Sequence, residues 1–246
     1  VALCEWNNSP PQNYARLHSL HPDQEALNRV RAEIQPCLLG PDFPDFFSFE
    51  GAPDKSWIEE GLIYVQDPST SHACRLLDPK SGEQILDACG APGGNAAYLA
   101  ALCGEATNLT VADSSATRLQ LHADAATLRQ VDWTDPASIP KNIGTFDAIL
   151  LDVPCSNSGV MRRRVDVRWR LQEGDFERQA KVQSELLSSV VPYLKPEGRV
   201  VYSTCSIDQE ENGAVVKASG LHVVEEAASL PWRDGYDGAF AAVLRP

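Results

Sequence analysis

Short apolar segments alternate with helix-forming segments from about residue 84 to the end of the chain. Apolar runs of strand length lie at residues 84–89, 109–113, 146–153 and 198–205, with a possible further strand at 119–124. Residues 95–102 are rich in Ala and Leu, which favours a helix. Strands that alternate with helices predict an α/β fold with a doubly wound, mostly parallel sheet, whose ligands lie beyond the carboxyl ends of the strands.

A longer amphipathic helix is predicted over residues 176–194. Its apolar positions recur at helical spacing and form one face that would pack on the sheet: Val182, Leu186, Leu187, Val190, Val191 and Leu194. Lys195, Pro196 and Gly198 are expected to stop this helix. Glu210, Glu211 and Asn212 are expected to cap a further helix, because acidic side chains suit the N-terminal end of the helix dipole.

The first part of the chain differs in character from the rest. Residues 1–60 combine a helical stretch, DQEALNRVRAEI, with crowded Pro and Phe residues, so we expect a small α+β subdomain there and the main domain over 61–246. Within the main domain only eleven positions separate Asp113 from Asp124, whereas a crossover connection needs about a dozen residues. Either that layer of the fold is reduced, or part of the natural chain is absent from this sequence.

The composition is that of an ordinary globular protein. Of the 246 residues, 43% are hydrophobic and 22% are charged, and no apolar stretch approaches the roughly 18 residues of a membrane helix. No signal peptide is visible, so we expect a cytoplasmic protein that contacts no membrane. The seven cysteines are an odd number without a CxxC pair, so we expect reduced thiols and no metal. We also expect the chain to act as a monomer.

The charge of the chain is unevenly distributed. A net charge of −13 disfavours attraction to nucleic acids when it is considered alone. Residues 162–170, RRRVDVRWR, nevertheless carry five arginines against one aspartate. An isolated basic run is usually a solvated loop, but this run follows a cysteine motif directly, so contact with phosphates is a second interpretation.

A glycine-bearing turn lies between the first predicted strand and the helix that follows it. The sequence LDACGAPGG at residues 86–94 lets backbone amides approach a polar cofactor, although it has neither the GxGxxG nor the GxxxxGK[ST] spacing. It is therefore either a cofactor loop or a plain strand-to-helix turn. Asp113 ends the next strand, where an acid can bind ribose hydroxyls, although a lone aspartate is more often a cap or turn residue.

Two cysteines follow strand ends at the same predicted edge of the sheet. Cys155 lies in DVPCS (152–156) and Cys205 in STCS (203–206). A thiol attacks as its thiolate, of which only about a few per cent is present at neutral pH at the reference pKa. Two such thiols without a disulfide motif indicate two separate chemical roles.

Four motifs in this order resemble the Sun (Fmu) family of S-adenosylmethionine-dependent RNA cytosine-5 methyltransferases. They are GLIYVQDPSTSHACRLLDP (61–79), LDACGAPGGN (86–95), LDVPCSNSGVMRRRVDVRW (151–169) and LKPEGRVVYSTCSIDQEEN (194–212). The final residues, DGAFAAVLRP, resemble the closing strand of the family. The resemblance implies a class I methyltransferase (Rossmann-like) fold with a seven-stranded sheet, S-adenosylmethionine as cofactor, and an RNA substrate, in particular ribosomal RNA.

The resemblance also implies roles for the two cysteines. Carbon 5 of neutral cytosine is too weak a nucleophile to take a methyl group, whereas addition of a thiolate at carbon 6 makes the ring enamine-like. By this resemblance Cys205 attacks carbon 6, Cys155 helps to release the product, and Asp152 contacts the base ring and stabilises the adduct.

The same resemblance implies which residues hold the cofactor and the RNA. Cofactor contacts are expected at Cys89, Gly90, Ala91, Pro92, Gly93, Gly94, Asn95, Asp113, Arg118, Asp124 and Asp152. The glycine turn would bind the methionine part, Asp113 the ribose and Asp124 the adenine side. RNA phosphates are expected at Arg162, Arg163, Arg164 and Arg168, and residues 1–60 resemble a small RNA-binding subdomain.

Asn95 departs from the family pattern, in which a lysine usually follows APGG and can meet the cofactor carboxylate. The loss of this charge makes a catalytically idle RNA- or protein-binding module one alternative, and the acidic composition is compatible with it. A DNA cytosine-5 methyltransferase is the other alternative, since such enzymes share the PC motif. They use that cysteine as the nucleophile and lack the STCS partner, so Cys205 favours RNA.

Overall fold

A small antiparallel sheet lies in the first part of the chain. The computed structural model describes residues 1–103, 108–119 and 126–246 of the whole chain. The elements of this first part are α1 (Ala2–Asn8), β1 (Asn13–Leu17), α2 (Gln24–Ile34), β2 (Phe46–Phe49), α3 (Lys55–Glu59) and β3 (Ile63–Val65), with β1 paired between β2 and β3. The Asp23 carboxylate accepts the Ala26 amide and so caps α2. Leu27, Val30 and Ile34 then face this small sheet at helical spacing.

Seven strands of the described chain form the main sheet. They are β4 (Ile85–Asp87), β5 (Leu109–Asp113), β6 (Thr127–Gln130), β7 (Phe146–Asp152), β8 (Leu194–Thr204), β9 (His222–Ser229) and β10 (Ala239–Arg245). The spatial order is β6-β5-β4-β7-β8-β10-β9. The first five strands in this order are parallel to one another, and β10 is antiparallel to both of its neighbours, β8 and β9. The predicted doubly wound, mostly parallel seven-stranded α/β sheet is confirmed.

Helices cover both faces of this sheet, which explains why its central strands are apolar throughout. The helices are α4 (Ser71–Leu77), α5 (Gly94–Cys103), α6 (Val167–Arg170), α7 (Glu173–Val190), α8 (Gly213–Ala218) and α9 (Pro231–Asp234). Successive residues of a strand point to opposite faces, so Ile149 of β7 packs in the cluster with α7 and α8, whereas Leu150 packs with α4 and α5.

Several sequence-based boundaries differ from the observed elements. The predicted helix over 176–194 is α7, which begins earlier and ends at Val190, because Pro192 follows within two residues. The expected stop signals Lys195, Pro196 and Gly198 instead lie inside β8. The small sheet takes its third strand from Ile63–Val65, past the residue 60 at which we propose to divide the chain.

The predicted strand over 119–124 falls almost entirely outside the described residues. The strand that pairs with β5 on its outer side is β6, which begins only at Thr127 and has exposed side chains. Within the described part of the chain, no helix combines the length and the apolar character that crossing a bilayer requires.

Candidate active site

Four neighbouring parallel strands bring the predicted site residues to one edge of the main sheet. In the order β5, β4, β7, β8 these strands end at Asp113, Asp87, Asp152 and Thr204. Parallel strands have their carboxyl ends on the same side, so the glycine turn after β4 and the cysteine segments after β7 and β8 meet there.

The glycine turn packs closely on the end of β5. The Gly90 amide donates to the Ala112 carbonyl oxygen at 2.9 Å. A Cβ atom at Gly90 would overlap Val111 Cγ1 and lie 2.8 Å from the Asp87 carboxyl carbon, so only glycine fits there. Asp113 accepts the Ala91 amide (3.3 Å), and Arg118 Nη2 donates to the Ala91 carbonyl oxygen (2.9 Å), which ties the turn to the segment after β5.

A cavity of about 430 Å³ opens beside this turn. Five of the residues predicted to hold a cofactor line it: Cys89, Ala91, Asp113, Arg118 and Asp152. The predicted contacts Gly90, Pro92, Gly93, Gly94 and Asn95 are not among its lining residues, and Asp124 lies outside the described residues. The cavity walls therefore hold acidic, basic and apolar groups beside a tight turn.

Two further residues of this cavity were not predicted from the sequence. Asp132 and Trp133 follow β6 at the same sheet edge and line the cavity. The Trp133 indole Nε1 donates to the Ala88 carbonyl oxygen at 2.8 Å, which fixes the ring against the turn. Their signal was an acid two residues after a strand, but β6 itself was missed because its side chains are exposed and largely polar.

The two predicted cysteines meet at this edge. The sulfur atoms of Cys155 and Cys205 lie 3.0 Å apart, and Cys205 Sγ also lies 3.4 Å from the Asn157 side-chain oxygen. The Asn157 amide nitrogen donates to the Cys155 carbonyl oxygen at 2.9 Å, so its oxygen is directed to Cys205. The hydrogen bond with Cys155 and burial raise the pKa of the Cys205 thiol well above its usual range, and Arg164 opposes this effect.

A second, smaller cavity of about 70 Å³ lies next to Cys205. Cys205, Asp152, Ser203 and Thr204 line one side of it, and Asp237 lies on its wall as well. Asp152 borders both this cavity and the larger one. Asp152 is thus common to a cavity beside the glycine turn and a cavity beside a thiol.

Asp152 is held by two hydrogen bonds. Ser203 Oγ donates to Oδ1 and Asn95 Nδ2 donates to Oδ2, each at 2.9 Å. Burial raises the pKa of the Asp152 carboxyl, and the hydrogen bonds from Ser203 and Asn95 lower it in part. The Asp87 carboxyl is fully buried close by, and burial together with the charges of Asp152 and Asp113 raises its pKa strongly.

Glu211 connects the two cysteine segments, which corrects the expectation that it caps a helix. It is fully buried and accepts the Ser156 amide (2.8 Å), the Ser156 hydroxyl and Gln183 Nε2 (3.0 Å). Asn212 is the residue before α8 but makes no side-chain cap; its side chain binds Thr204 and the Ser206 carbonyl oxygen. The segment QEEN (209–212) therefore fixes the loops that carry Cys155 and Cys205.

Three of the four arginines predicted to contact RNA make internal contacts. Arg162 is buried, with its guanidinium 3.6 Å from the centre of the Trp6 ring. Arg163 forms ion pairs with Asp67 (2.9 Å) and Asp237 (2.7 Å), and Arg168 donates to the Asn7 carbonyl oxygen. Arg164 is exposed, and within the described part of the chain its guanidinium has no hydrogen-bond or ion-pair partner.

A mostly parallel seven-stranded sheet of this order, with a glycine turn and acid-bearing strand ends around one cavity, defines a class I methyltransferase fold. The chain belongs to the 16S rRNA methyltransferase RsmB/F family, whose sequence model matches residues 74–245. The resemblance to the Sun (Fmu) family is thereby confirmed.

Individual relatives agree with this assignment. "Ribosomal RNA small subunit methyltransferase B" of Salmonella arizonae is 37% identical over 265 residues, which cover 98% of this chain and 61% of that protein. The protein of the same name from Proteus mirabilis is 32% identical, and the match covers 99% of this chain and 61% of that protein. The chain thus spans about three fifths of the length of these curated relatives.

Solved structures share the whole fold. The crystal structure of PH0851 superposes with a TM-score of 0.89 at 26% identity and covers 100% of this chain and 62% of that one. NSun6 from Pyrococcus horikoshii, solved with SFG, superposes with a TM-score of 0.84 at 18% identity. The match covers 99% of this chain and 93% of the NSun6 chain. At that identity the second likeness concerns the fold alone.

Proposed function

We propose that this chain is the catalytic part of an S-adenosylmethionine-dependent methyltransferase that modifies carbon 5 of a cytosine in small-subunit ribosomal RNA. The observation that carries the proposal is the pair of thiols, 3.0 Å apart, of which Cys205 lines a small cavity that shares Asp152 with the larger one. The printed names of the relatives supply the class of RNA.

The residues that line the larger cavity suit the chemical groups of S-adenosylmethionine. When bound, this cofactor supplies an electrophilic methyl group on a sulfonium centre. The tight turn at Gly90 would border the methionine part, with Arg118 as the cation that lines the cavity. Asp113 would hold the ribose hydroxyls, and Asp132 with Trp133 would hold the adenine side, for which Asp124 also remains a prediction.

The different surroundings of the two thiols favour the RNA-type mechanism, in which Cys205 is the nucleophile, over the DNA-type mechanism, in which Cys155 is the nucleophile. Cys205 lines the small cavity and can reach a base bound there, so it would form the bond to carbon 6. Cys155 is buried and is not among the residues that line either cavity. Its sulfur reaches that of Cys205, so it would act when the Cys205 bond to the base is broken. Asp152 would contact the base ring and stabilise the adduct.

The RNA itself would be held by residues around the small cavity. Arg164 is the exposed arginine next to Cys205 and would contact a phosphate of the target strand. Arg162, Arg163 and Arg168 would act indirectly, by fixing the loop that carries Arg164. Residues 1–60 would add an RNA-binding subdomain. We further propose that the protein acts in the cytoplasm, where ribosomal RNA is found, and as a monomer.

The direct test is methyl transfer by this chain. We expect calorimetry to detect binding of S-adenosylmethionine, and we expect tritium from its labelled methyl group to reach carbon 5 of a cytosine in unmodified bacterial small-subunit ribosomal RNA. Binding without transfer, or neither, would reject the proposal in favour of the idle binding module. Transfer to DNA and not to RNA would favour the DNA-type enzyme.

A further inference from the structure

An exposed tryptophan lies at the end of the arginine-rich segment that follows Cys155. Trp169 in α6 is 83% exposed, and Val165, four positions earlier, is 51% exposed. Trp133, by contrast, is buried, and Trp232 is 40% exposed. A single exposed apolar side chain needs no explanation, but an indole together with a second exposed apolar side chain on one short segment favours a binding partner.

The helix that carries Trp169 is firmly held on its inner side. Val167 is fully buried, and the Arg168 side chain donates to the Asn7 carbonyl oxygen and to Asn8 Oδ1 (3.2 Å), both in α1. The indole is therefore displayed to solvent from a fixed helix and not from a loose loop. A surface that is preformed in this way loses little conformational entropy when a ligand binds.

Arg164 gives the same segment an unpaired positive charge. It is exposed, and its guanidinium has no hydrogen-bond or ion-pair partner among the residues that the structure describes. The Val167 amide donates to the Arg164 carbonyl oxygen at 3.1 Å, which joins Arg164 to the start of α6 by one tight turn. Arg170, on the other side of Trp169 in the chain, is paired with Asp166 at 3.0 Å. An exposed cation thus accompanies the indole in a chain whose net charge is −13.

This segment starts at the candidate nucleophile. The Gly159 amide donates to the Cys205 carbonyl oxygen at 3.0 Å, and Val160 lines the small cavity. The charge of Arg164 lowers the pKa of Cys205, so this cation acts on the same site. Residues 159–170 therefore lead from the small cavity, past an exposed cation, to the exposed indole of Trp169.

We propose that Trp169 is an RNA-binding residue whose indole stacks on an unpaired base beside the target cytosine, while Arg164 contacts an adjoining phosphate. This inference rests on the proposed function and extends it from the reacting base to a flanking nucleotide. An enzyme that takes a base out of its stack leaves the neighbouring base without one of its stacking partners. Every base has a π face, so an indole can bind that neighbour whatever its sequence, and an arginine can neutralise its phosphate.

Equilibrium binding of RNA tests the inference and requires no methyl transfer. A fluorescein-labelled single-stranded RNA is titrated with the wild-type chain, with Trp169→Leu and with Trp169→Phe, and its anisotropy is measured. We expect Trp169→Leu to bind roughly 5- to 150-fold more weakly, the range for the loss of one base stack. Trp169→Phe keeps an aromatic ring and should bind more tightly than Trp169→Leu. Leucine retains apolar area, so the two variants separate stacking from simple hydrophobic contact.

Two further measurements separate stacking from charge. A long RNA duplex buries the faces of its bases, so the wild type and Trp169→Leu should bind such a duplex with equal affinity. With single-stranded RNA, Trp169→Leu should keep the wild-type dependence of log affinity on log salt concentration. Arg164→Ala should reduce the magnitude of that slope by roughly 0.7 to 1, which is the share of one phosphate contact.

Trp232→Leu is the matched control, because Trp232 is also exposed but its neighbour Arg233 is paired with Asp234 at 2.8 Å. It should bind RNA as the wild type does. Urea denaturation establishes that each variant is folded. Equal affinities of the wild type and Trp169→Leu for single-stranded RNA would overturn the inference. An equal loss of affinity in Trp232→Leu, or a Trp169→Phe that binds no better than Trp169→Leu, would overturn it as well.

The inference and the proposed function can fail separately. If Trp169 is needed for RNA binding but the wild type transfers no methyl group, the proposed function fails and the stacking surface stands. If the wild type transfers methyl groups but Trp169→Leu binds RNA equally well, the inference fails and the proposed function stands. With transfer intact, we expect Trp169→Leu to raise KM for unmodified small-subunit ribosomal RNA and to keep kcat near the wild-type value, because the indole binds a flanking nucleotide and not the reacting base.

Discussion

The sulfur atoms of Cys155 and Cys205 lie 3.0 Å apart although 50 positions separate the two residues in the chain. Their strands, β7 and β8, are parallel neighbours, and the Val153 amide donates to the Ser203 carbonyl oxygen (3.0 Å) just before the two thiols. The sheet register therefore sets the distance between the sulfurs. Cys205 lines the small cavity whereas Cys155 is buried, so the two thiols have different surroundings.

Substitution of the two cysteines should have opposite effects on the covalent adduct. Cys205→Ala should abolish methyl transfer and adduct formation, because no sulfur then reaches carbon 6. Cys155→Ala should allow attack but hinder release, so a protein–RNA adduct should accumulate. A denaturing gel with labelled RNA resolves the adduct, and tritium transfer measures turnover.

Cys37→Ala is the control for this pair, because Cys37 is an exposed cysteine of the small subdomain. It should behave as the wild type in both assays. An adduct that forms in Cys205→Ala and disappears in Cys155→Ala would reverse the assigned roles and restore the DNA-type mechanism.

The Cys205 thiol should be slow to alkylate at neutral pH. Its pKa is raised in the folded chain, so its thiolate appears only at higher pH than in the denatured chain. Arg164 lowers this pKa, so Arg164→Ala should move the midpoint of alkylation to still higher pH. The rate of iodoacetamide labelling of the Cys205 peptide, followed by mass spectrometry against pH, measures both midpoints.

Arg170→Ala is the matched control for Arg164→Ala. Arg170 is also exposed, but it pairs with Asp166 on the surface at 3.0 Å. Its removal should leave the alkylation midpoint of Cys205 in place. A midpoint for the folded chain at or below that of the denatured chain would show that the resting site already favours the thiolate.

Gly90→Ala should damage the glycine turn. A methyl group there would overlap Val111 and crowd Asp87, so we expect a loss of about 1–3 kcal/mol in the free energy of unfolding together with weaker cofactor binding. Gly174→Ala serves as control, because Gly174 lies in the first turn of α7 with no neighbouring atom near its Cβ position. It should gain up to about 1 kcal/mol, since alanine favours helix. Urea denaturation and calorimetry measure both effects, and equal stability of the two variants would contradict the close packing.

The chemistry-bearing strand ends could be predicted from the sequence because each depends on a local pattern. An apolar run followed by a glycine turn or by a cysteine marks the end of a buried strand, and parallel pairing then gathers such ends at one edge. Cys155 and Cys205 were found in this way, Asp113 as the acid that ends the next strand, and Asp152 through the resemblance to the family. The strand β6 could not be found by the same rule, since its side chains are exposed, and Asp132 was missed with it.

Contacts between distant segments could not be predicted from local patterns. Nothing in the sequence near Asn95 indicates that its amide would meet Asp152, because β4 and β7 must first pair. The basic run was interpreted as a phosphate contact, whereas Arg163 finds Asp67 and Asp237, which lie far away in the chain. Glu211 follows a strand and was interpreted as a helix cap. Its hydrogen-bond partners Ser156 and Gln183 instead lie 55 and 28 positions away in the chain.

Glu211→Gln should disturb Cys155, the proposed release residue, more than Cys205, the proposed nucleophile. The Glu211 carboxylate accepts hydrogen bonds from the Ser156 amide and hydroxyl and from Gln183, and Ser156 directly follows Cys155. A glutamine would turn an NH₂ group toward one or more of these donors, at a cost of about 1–3 kcal/mol in the free energy of unfolding. We expect the adduct to persist longer than in the wild type, because Cys155 is displaced while Cys205 keeps its own strand. Glu210→Gln changes the exposed neighbour in the same way and should alter neither stability nor adduct lifetime. Equal adduct lifetimes in the two variants, measured by quenching on a denaturing gel, would separate Glu211 from the release step.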